Sequence, residues 1–330
     1  TTEIYTLSLH DALPIYVGSH CAKAFAQAGW TVVTYDNLSR GHRDLVKWGP
    51  LIEGDILDQA ALSAAMKSVQ PDAVAHFAAL AYVAESMTAP GLYFRNNVVG
   101  TMNVLDAMRE AGVSNLVFSS SCATYGISND LITEITPQNP INPYGRSKLM
   151  CEQMIRDYGE AHGIKSTLLR YFNAAGCDAD GETGERHDPE PHVIPLAIRG
   201  AMDGSFTFNI MGSDYDTPDG TCVRDYIHVT DLADAHRRAL SYLFDGGQSD
   251  VFNLGTGQGC SVLELANAVS KIAGKDVPRV MAERRPGDPP ILVASAAKAK
   301  ATLGWVPQHS DMETILKTAW VWFEQEQTRD

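Results

Sequence analysis

A chain of 330 residues with 45% hydrophobic content has room for one large α/β domain or two smaller ones, each with a sizeable core. Its net charge of −14 argues against nucleic acid or an anionic membrane surface as a partner, since both need clustered Lys and Arg. No run of about 18 apolar residues suggests a membrane span, and Thr1 to Tyr16 lacks the basic n-region of a signal peptide.

In chain order, residues 1–15 (TTEIYTLSLHDALPI) suggest no element; LHDALPI in particular is a poor buried strand. Residues 16–29 read as a helix ending at Gly29, followed by an apolar strand, TVVTYDN, ending in Asp36. A short strand is expected at 51–55, a helix at 58–69, a buried strand at 72–79 and a long helix at about 91–111. NLVFSSS (115–121) is the next strand, a helix starts near Tyr144, and STLLRYFN (166–173) closes the series. Strands alternating with helices of this length indicate a doubly wound parallel, Rossmann-like sheet. Ligands on such sheets bind at the carboxyl ends of the strands. From about 174 the sequence changes character, beginning with the polar loop CDADGETGERHDPEPH, and a smaller mixed α/β substrate domain is expected over 174–330. Some of its segments should return to pack on the first domain, 1–173. Six cysteines, none in a Cys-x-x-Cys pair, match no zinc pattern and read as buried or free thiols of a reducing, cytoplasmic compartment. No metal site is expected.

Tyr144 and Lys148 are four residues apart, so a helix puts them on one face. An ammonium beside a phenol favours phenolate and makes a base. Twelve Tyr and ten Lys in 330 residues give roughly 0.4 chance occurrences of this spacing, so only its context can give it meaning. Ser119, Ser120 and Ser121 supply hydroxyls at a strand end upstream. Asp36 stands 18 residues after Gly18, where a dinucleotide-binding fold places the carboxylate that bonds the adenosine ribose and repels a 2′-phosphate, favouring NAD over NADP. Gly18 fits the last place of a Gly-x-x-Gly-x-x-Gly turn, but the first two places hold Ala12 and Ile15, whose Cβ atoms would crowd a pyrophosphate. We read residues 1–15 as foreign or frame-shifted sequence.

With YVGSH, YDNLSRG, EGDILD, HFAALAYVAES, NNVVGT, FSSSCATYG, NPYGRSK, LRYFNAAG, GERHDPEPHVIP, DGTCVRDYIHV, FNLGTG and RRPGDPP in order, the chain resembles the extended short-chain dehydrogenase/reductase family, and within it the UDP-glucose 4-epimerases. The resemblance implies NAD-dependent inversion of C4 of a UDP-hexose through a transient 4-keto sugar. It makes Tyr144 the base, with Lys148 on the nicotinamide ribose lowering the Tyr pKa and Ser121 on the sugar 4-oxygen. It assigns Gly18, Asp36, Asn37, Asp55, Ile56, Phe77, Ala78, Ala79, Asn96, Ser119 and Tyr171 to NAD. It gives Asn173, Arg224 and Arg285 to the UDP diphosphate and Asp288 to the uridine ribose. Family members commonly form homodimers through the two helices near 91–111 and 144–162. Ala81 and His192 stand where some epimerases carry Lys and Asn, and Leu292 stands at a sugar-pocket gatekeeper position, so N-acetylated hexoses and UDP-xylose/UDP-arabinose stay open as substrates. A 4,6-dehydratase is disfavoured because Ser121-Cys122-Ala123 offers no carboxylate. The damaged glycine turn keeps a non-catalytic nucleotide-sugar-binding protein open. A dehydrogenase of a hydroxysteroid or similar alcohol would not need Arg224 and Arg285.

Overall fold

The computed structural model describes residues 2–7, 14–128, 130–285 and 288–328, with backbone alone at 5–7, 14 and 15. Six strands come first: β1 (Glu3–Leu7), β2 (Thr31–Asp36), β3 (Leu51–Glu53), β4 (Ala73–His76), β5 (Asn115–Ser119) and β6 (Lys165–Tyr171). After them come β7 (Asn173–Ala175), β8 (Phe208–Met211), β9 (Val223–Arg224), β10 (Tyr226–His228), β11 (Asp250–Leu254), β12 (Cys260–Ser261), β13 (Arg279–Ala282) and β14 (Ile291–Leu292). The α-helices are α1 (Pro14–Gln27), α2 (Gln59–Val69), α3 (Val83–Thr88), α4 (Pro90–Tyr93), α5 (Gly100–Ala111), α6 (Pro143–His162), α7 (Val193–Met202), α8 (Val229–Phe244), α9 (Val262–Ala273), α10 (Ala297–Leu303) and α11 (Met312–Gln327).

Seven strands form one sheet in the order β11-β6-β5-β4-β1-β2-β3, and every pairing in it is parallel. Parallel strands need crossovers, and the helices supply them on both faces. On one face α1 and α8 bury Val17, Phe25, Leu232 and Leu240 with Leu303 and Trp305. On the other, α2, α5 and α6 bury Leu62, Met66, Val104, Met108, Cys151 and Ile155. Strand order reverses between β1 and β4, and the crevice outside the carboxyl ends there is where such a sheet takes a ligand. A second cluster joins α7, α9 and α11 through Ile198, Phe208, Leu265, Val269, Ile315 and Trp322. The edge strand β11 comes from beyond residue 174 yet pairs with β6, so the chain does return to the first sheet.

One expectation is corrected. The terminal segment does contribute an element: β1 lies at the middle of the sheet, in register with β2 on one side and β4 on the other. Its sequence, EIYTL, has the β-branched and aromatic residues of a strand. The strand sits several residues before the window next to the glycine turn, which is why LHDALPI misled. Ala12 lies outside the described residues, and Ile15 falls in the first turn of α1. The strands expected at 51–55 and 72–79 end earlier, leaving Asp55, Ile56 and Phe77–Ala79 in the loops beyond them.

Behind the carboxyl end of β5, α6 is tied to β6 by a buried ion pair. Arg170 Nε donates to Glu152 Oε1 at 2.8 Å, and its Nη2 reaches Oε2, with the two side chains 2% and 0% exposed. Ser120 Oγ donates to the same carboxylate at 2.6 Å, and Arg170 Nη1 donates to the Tyr125 hydroxyl at 2.7 Å. Burial works to raise the Glu152 pKa, but the Arg170 bonds and charge outweigh it and hold the carboxyl below its ordinary value. Removing one partner leaves a buried charge alone, which costs roughly 3–5 kcal/mol. Glu152→Leu should lower stability to denaturant by about that much, and adding Arg170→Met should restore most of it. A single variant within about 1 kcal/mol of the parent would show that the pair is not a structural tie.

Candidate active site

Helix α6 begins at a designed stop. Asn142 Oδ1 accepts from Gly145 N at 2.8 Å, and Pro143 occupies the first helical position. Gly145 lies against the turn that follows Ser121: a Cβ there would stand 2.2 Å from the Ala123 carbonyl oxygen. The absence of a side chain at 145 therefore lets the first turn of α6 close on the 122–124 turn, and this brings the Tyr144 phenol near the Ser121 hydroxyl, which favours the phenolate. Tyr144 is 5% exposed, packed with Leu80 and edge-on to Tyr93.

Lys148 follows one turn later. Its Nζ donates to the Ser119 carbonyl at 2.7 Å and lies 4.7 Å from the centre of the Phe118 ring. Burial pushes the ammonium down from 10.5 to about 8. Here the charge argument from the sequence is corrected. In the protein alone, burial dominates the Tyr144 phenol and raises its pKa well above the ordinary value; the Ser121 hydroxyl opposes this, but Lys148 is not a major influence. The ammonium is spent on Ser119 and Phe118, so spacing on one helix face did not translate into phenolate.

Beside them, Tyr171 is buried at the end of β6 near Ser119. Ser119 Oγ in turn meets His236 Nε2 at 2.9 Å. The other imidazole nitrogen faces the Leu232 carbonyl at 2.8 Å, so it carries the proton and Nε2 accepts from Ser119. Burial lowers His236 to about 4, which keeps it neutral. His236 went unrecognised in the sequence, although it falls four residues after Leu232 on the buried stripe of α8.

Asn96 is buried as expected, yet Asn97 makes the more consequential bonds. Its Oδ1 accepts from Leu80 N at 2.7 Å, and its Nδ2 donates to Leu80 O and Ser147 Oγ at 3.0 and 2.9 Å. Both asparagines point inward because Phe94–Val99 is a π-helical segment between α4 and α5, which shifts the helical phase. A regular 3.6-residue period cannot reveal this. The clamp on Leu80 fixes the loop Phe77–Leu80, all of it buried, across the end of β4.

At the other end of the cleft, Asp36 is 1% exposed at the end of β2, with Oδ1 accepting from Leu38 N at 2.6 Å. Asn37 Nδ2 donates to Asp55 Oδ2 at 3.0 Å, joining the ends of β2 and β3, and Ile56 is fully buried behind them. Gly18 is buried in α1. Acceptors at one end and a phenol, ammonium and hydroxyl at the other suit a dinucleotide with hydroxyl-bearing ribose at both ends.

A third group gathers where the short strands meet. Asn173 Nδ2 donates to Asp225 O at 3.1 Å, and β7 pairs with β10. Arg224 lies opposite Leu292 in the β9–β14 pair and bonds Asp288. Asp225 is not its ion-pair partner; that carboxylate accepts instead from Thr256 and Gly257. Leu292 packs with Cys122 and Phe172, next to Ser121. Arg285 is exposed in the coil after β13, and its neighbour Arg284 is the one held, by Asp214 and the Tyr215 ring.

The description "NAD dependent epimerase/dehydratase family" fits residues 16–255. The chain belongs to that family. Among relatives, UDP-glucose 4-epimerase of Rhizobium meliloti (strain 1021) is 50% identical over 308 residues, 93% of this chain and 94% of that one. A crystal structure of UDP-glucose 4-epimerase from Brucella ovis in complex with NAD is 49% identical, with TM-score 0.92 over 98% of both chains. The enzyme of that name from Bifidobacterium longum, in complex with NAD+ and UDP, is 33% identical with TM-score 0.92 over 99% of both chains. Family membership agrees with the doubly wound sheet and the Tyr144–Lys148 helix.

The buried ammonium gives a signed prediction. Lys148 has a lower pKa folded than unfolded, so its charge costs stability in full below about pH 8, and the cost vanishes as pH rises through about 10.5. In nucleotide-free protein, Lys148→Met should be more stable than the parent at pH 7 by about 1–3 kcal/mol, with the gap narrowing towards pH 10. A variant less stable than its parent at pH 7 would show that the Ser119 bond outweighs the burial.

Proposed function

We propose that this chain interconverts UDP-glucose and UDP-galactose by inverting C4 of the bound sugar with NAD. The observation that carries the reading is the buried Tyr144 phenol at the carboxyl edge of the sheet, with the Ser121 hydroxyl near it and Lys148 one helical turn on. The half-identical relatives named UDP-glucose 4-epimerase support it. NAD, when bound, supplies the acceptor for the C4 hydride and the donor that returns it.

In this reading Asp36, Asn37, Asp55 and Ile56 hold the adenosine end, with Gly18 behind the pyrophosphate. Phe77, Ala78, Ala79 and Asn96 wall the cleft, and Ser119, Lys148 and Tyr171 position the nicotinamide end. Tyr144 takes the proton of the 4-hydroxyl and later returns one to the 4-oxygen, while Ser121 bonds that oxygen in both states. The phenol lies high in the protein alone, so proton removal depends on the positive charge that the oxidised cofactor brings when bound. Asn173, Arg224 and Arg285 grip the diphosphate and Asp288 the uridine ribose; two guanidinium groups suit a diphosphate. The sugar side, lined by Leu292, Cys122 and Phe172, offers no charged grip. A keto sugar can therefore turn over while its nucleotide stays anchored.

We further place the domain boundary near residue 173, with α8, β11 and α10 packing back on the first sheet. Six free cysteines suit a reducing cytoplasm. Exposed Leu92, Val99, Met102 and Met150 on the segment 90–111 and on α6 suit a homodimer built through these helices. A Stenotrophomonas maltophila structure with formylated UDP-arabinopyranose, 35% identical, keeps a pentose substrate as the second reading.

The test supplies UDP-galactose, UDP-N-acetylgalactosamine and UDP-arabinose and follows the 4-epimers. UDP-glucose should dominate the products, and Tyr144→Phe should lower turnover by about 10²–10⁴ while leaving UDP affinity near normal. Turnover close to the parent's would remove Tyr144 from the mechanism, and faster reaction with the pentose would favour the second reading. Stoichiometric NAD retained by the same preparation would answer the objection raised by Ala12 and Ile15, and its sedimentation as a monomer would remove the dimer.

A further inference from the structure

The loop between β7 and α7 carries four side chains that the proposed reaction does not use. Glu185, His187, Glu190 and His192 are spaced Glu-x-His-x-x-Glu-x-His, and their ligand atoms all lie within 4.8 Å of one another. They alternate around a closed ring. His192 Nδ1 is 2.9 Å from Glu185 Oε1 and 2.8 Å from Glu190 Oε1. His187 Nδ1 is 3.1 Å from Glu190 Oε2 and 3.4 Å from Glu185 Oε1. We propose that these four residues form a binding site for a divalent transition-metal cation, of the zinc class.

Three observations carry this, none of which depends on the reaction proposed above. The first is distance. Ligands about 2.0–2.2 Å from a tetrahedral zinc stand roughly 3.3–3.6 Å apart; the ring edges here, 2.8, 2.9, 3.1 and 3.4 Å, are held in part by hydrogen bonds and need to open by only a few tenths of an ångström to take the ion. The second is charge. Among the described residues, neither carboxylate has an ion pair with Lys or Arg; their charged partners are the two imidazoles. Arg186, between two of the ligands, points away to Asp44 and Glu326. Without an ion these carboxylates hold the His192 imidazole protonated, raised to about 10; a divalent cation that displaces that proton leaves two carboxylates and two neutral imidazoles, whose charge it balances. The nearby Asp178, Asp180 and Glu182 differ in this respect, because Lys23 bonds all three. The third is preorganisation. Tyr82 packs against both imidazoles, at 6.4 and 6.1 Å between ring centres, and Tyr16 stands edge-on to His187 at 6.4 Å. The Glu185 carbonyl accepts from Trp322 Nε1 at 2.9 Å, and His192 N donates to Glu190 Oε1 at 2.8 Å.

Two imidazoles with two carboxylates suit zinc over magnesium or calcium, which prefer all-oxygen shells. With four protein ligands the site is closed and therefore structural. The ion would tie the loop to α7, whose N-cap is His192, and to Tyr82 beside the cleft. His192, with 32% of its side chain exposed, leaves a way in.

The test uses full-length protein without an affinity tag, treated with EDTA, gel-filtered and titrated calorimetrically with ZnCl2, with metal content read by mass spectrometry. The expected result is one tightly held Zn2+ per chain and a higher melting temperature. Glu185→Gln and, separately, the partly exposed His192→Ala should each lose the stoichiometric ion while keeping the parent's far-ultraviolet circular dichroism. Failure of the parent to hold zinc would overturn the proposal. So would zinc retained equally by both variants, or zinc lost only when the cysteines are alkylated.

Discussion

The Glu152–Arg170 pair is the constraint on which the site depends. It joins α6, which carries Tyr144 and Lys148, to β6, which ends at Tyr171, and through Ser120 it also holds the strand end that presents Ser119 and Ser121. A buried charge pair gains little stability over a well-packed apolar pair. Its directional bonds instead fix how far α6 can slide or turn against the sheet. Gly145 completes the fit on the other side by letting the helix start lie on the 122–124 turn. Without those two contacts the phenol and the Ser121 hydroxyl would have no reason to meet.

The same burial works against the individual groups. Burial raises the Tyr144 phenol and lowers the Lys148 ammonium, so both lie closer to neutral than they would in water. Such a site stores reactivity at the expense of stability, a common arrangement where charge is to move in a dry pocket. The neighbouring chain Tyr171–Ser119–His236 is neutral throughout and orients the site without adding charge. The acids and bases stand close together here, while the Arg224–Asp288 ion pair joins short strands at some remove in sequence.

Much of this could be read from the amino acids. The alternation of apolar strands and helices gave the parallel sheet, and Asp36, Asp55, Ser121 and Asn173 all stand just beyond or at the carboxyl side of the strands assigned to them. Periodicity failed where the backbone departs from it. The π-turn at Phe94–Val99 buries Asn97 beside Asn96, and no 3.6-residue pattern records that. Pair interactions across long separations were invisible as well: Arg224 chooses Asp288, sixty-four residues away, over its neighbour Asp225. The expected effect of Lys148 on Tyr144 failed for a related reason, since a shared helix face does not say where the ammonium finds its acceptor. The Glu-x-His-x-x-Glu-x-His spacing was in plain view but lay in a loop, where no helical or strand period says that its side chains converge.

The central claim is that inversion proceeds by removing and returning hydride at one carbon while Tyr144 moves the proton on oxygen. UDP-galactose carrying deuterium at C4, incubated with the protein in ordinary water, tests this in one measurement. The account requires UDP-glucose that keeps the deuterium at C4, with no exchange into solvent. Product that has lost the label to water would contradict it, because the C4 hydrogen would then have left as a proton.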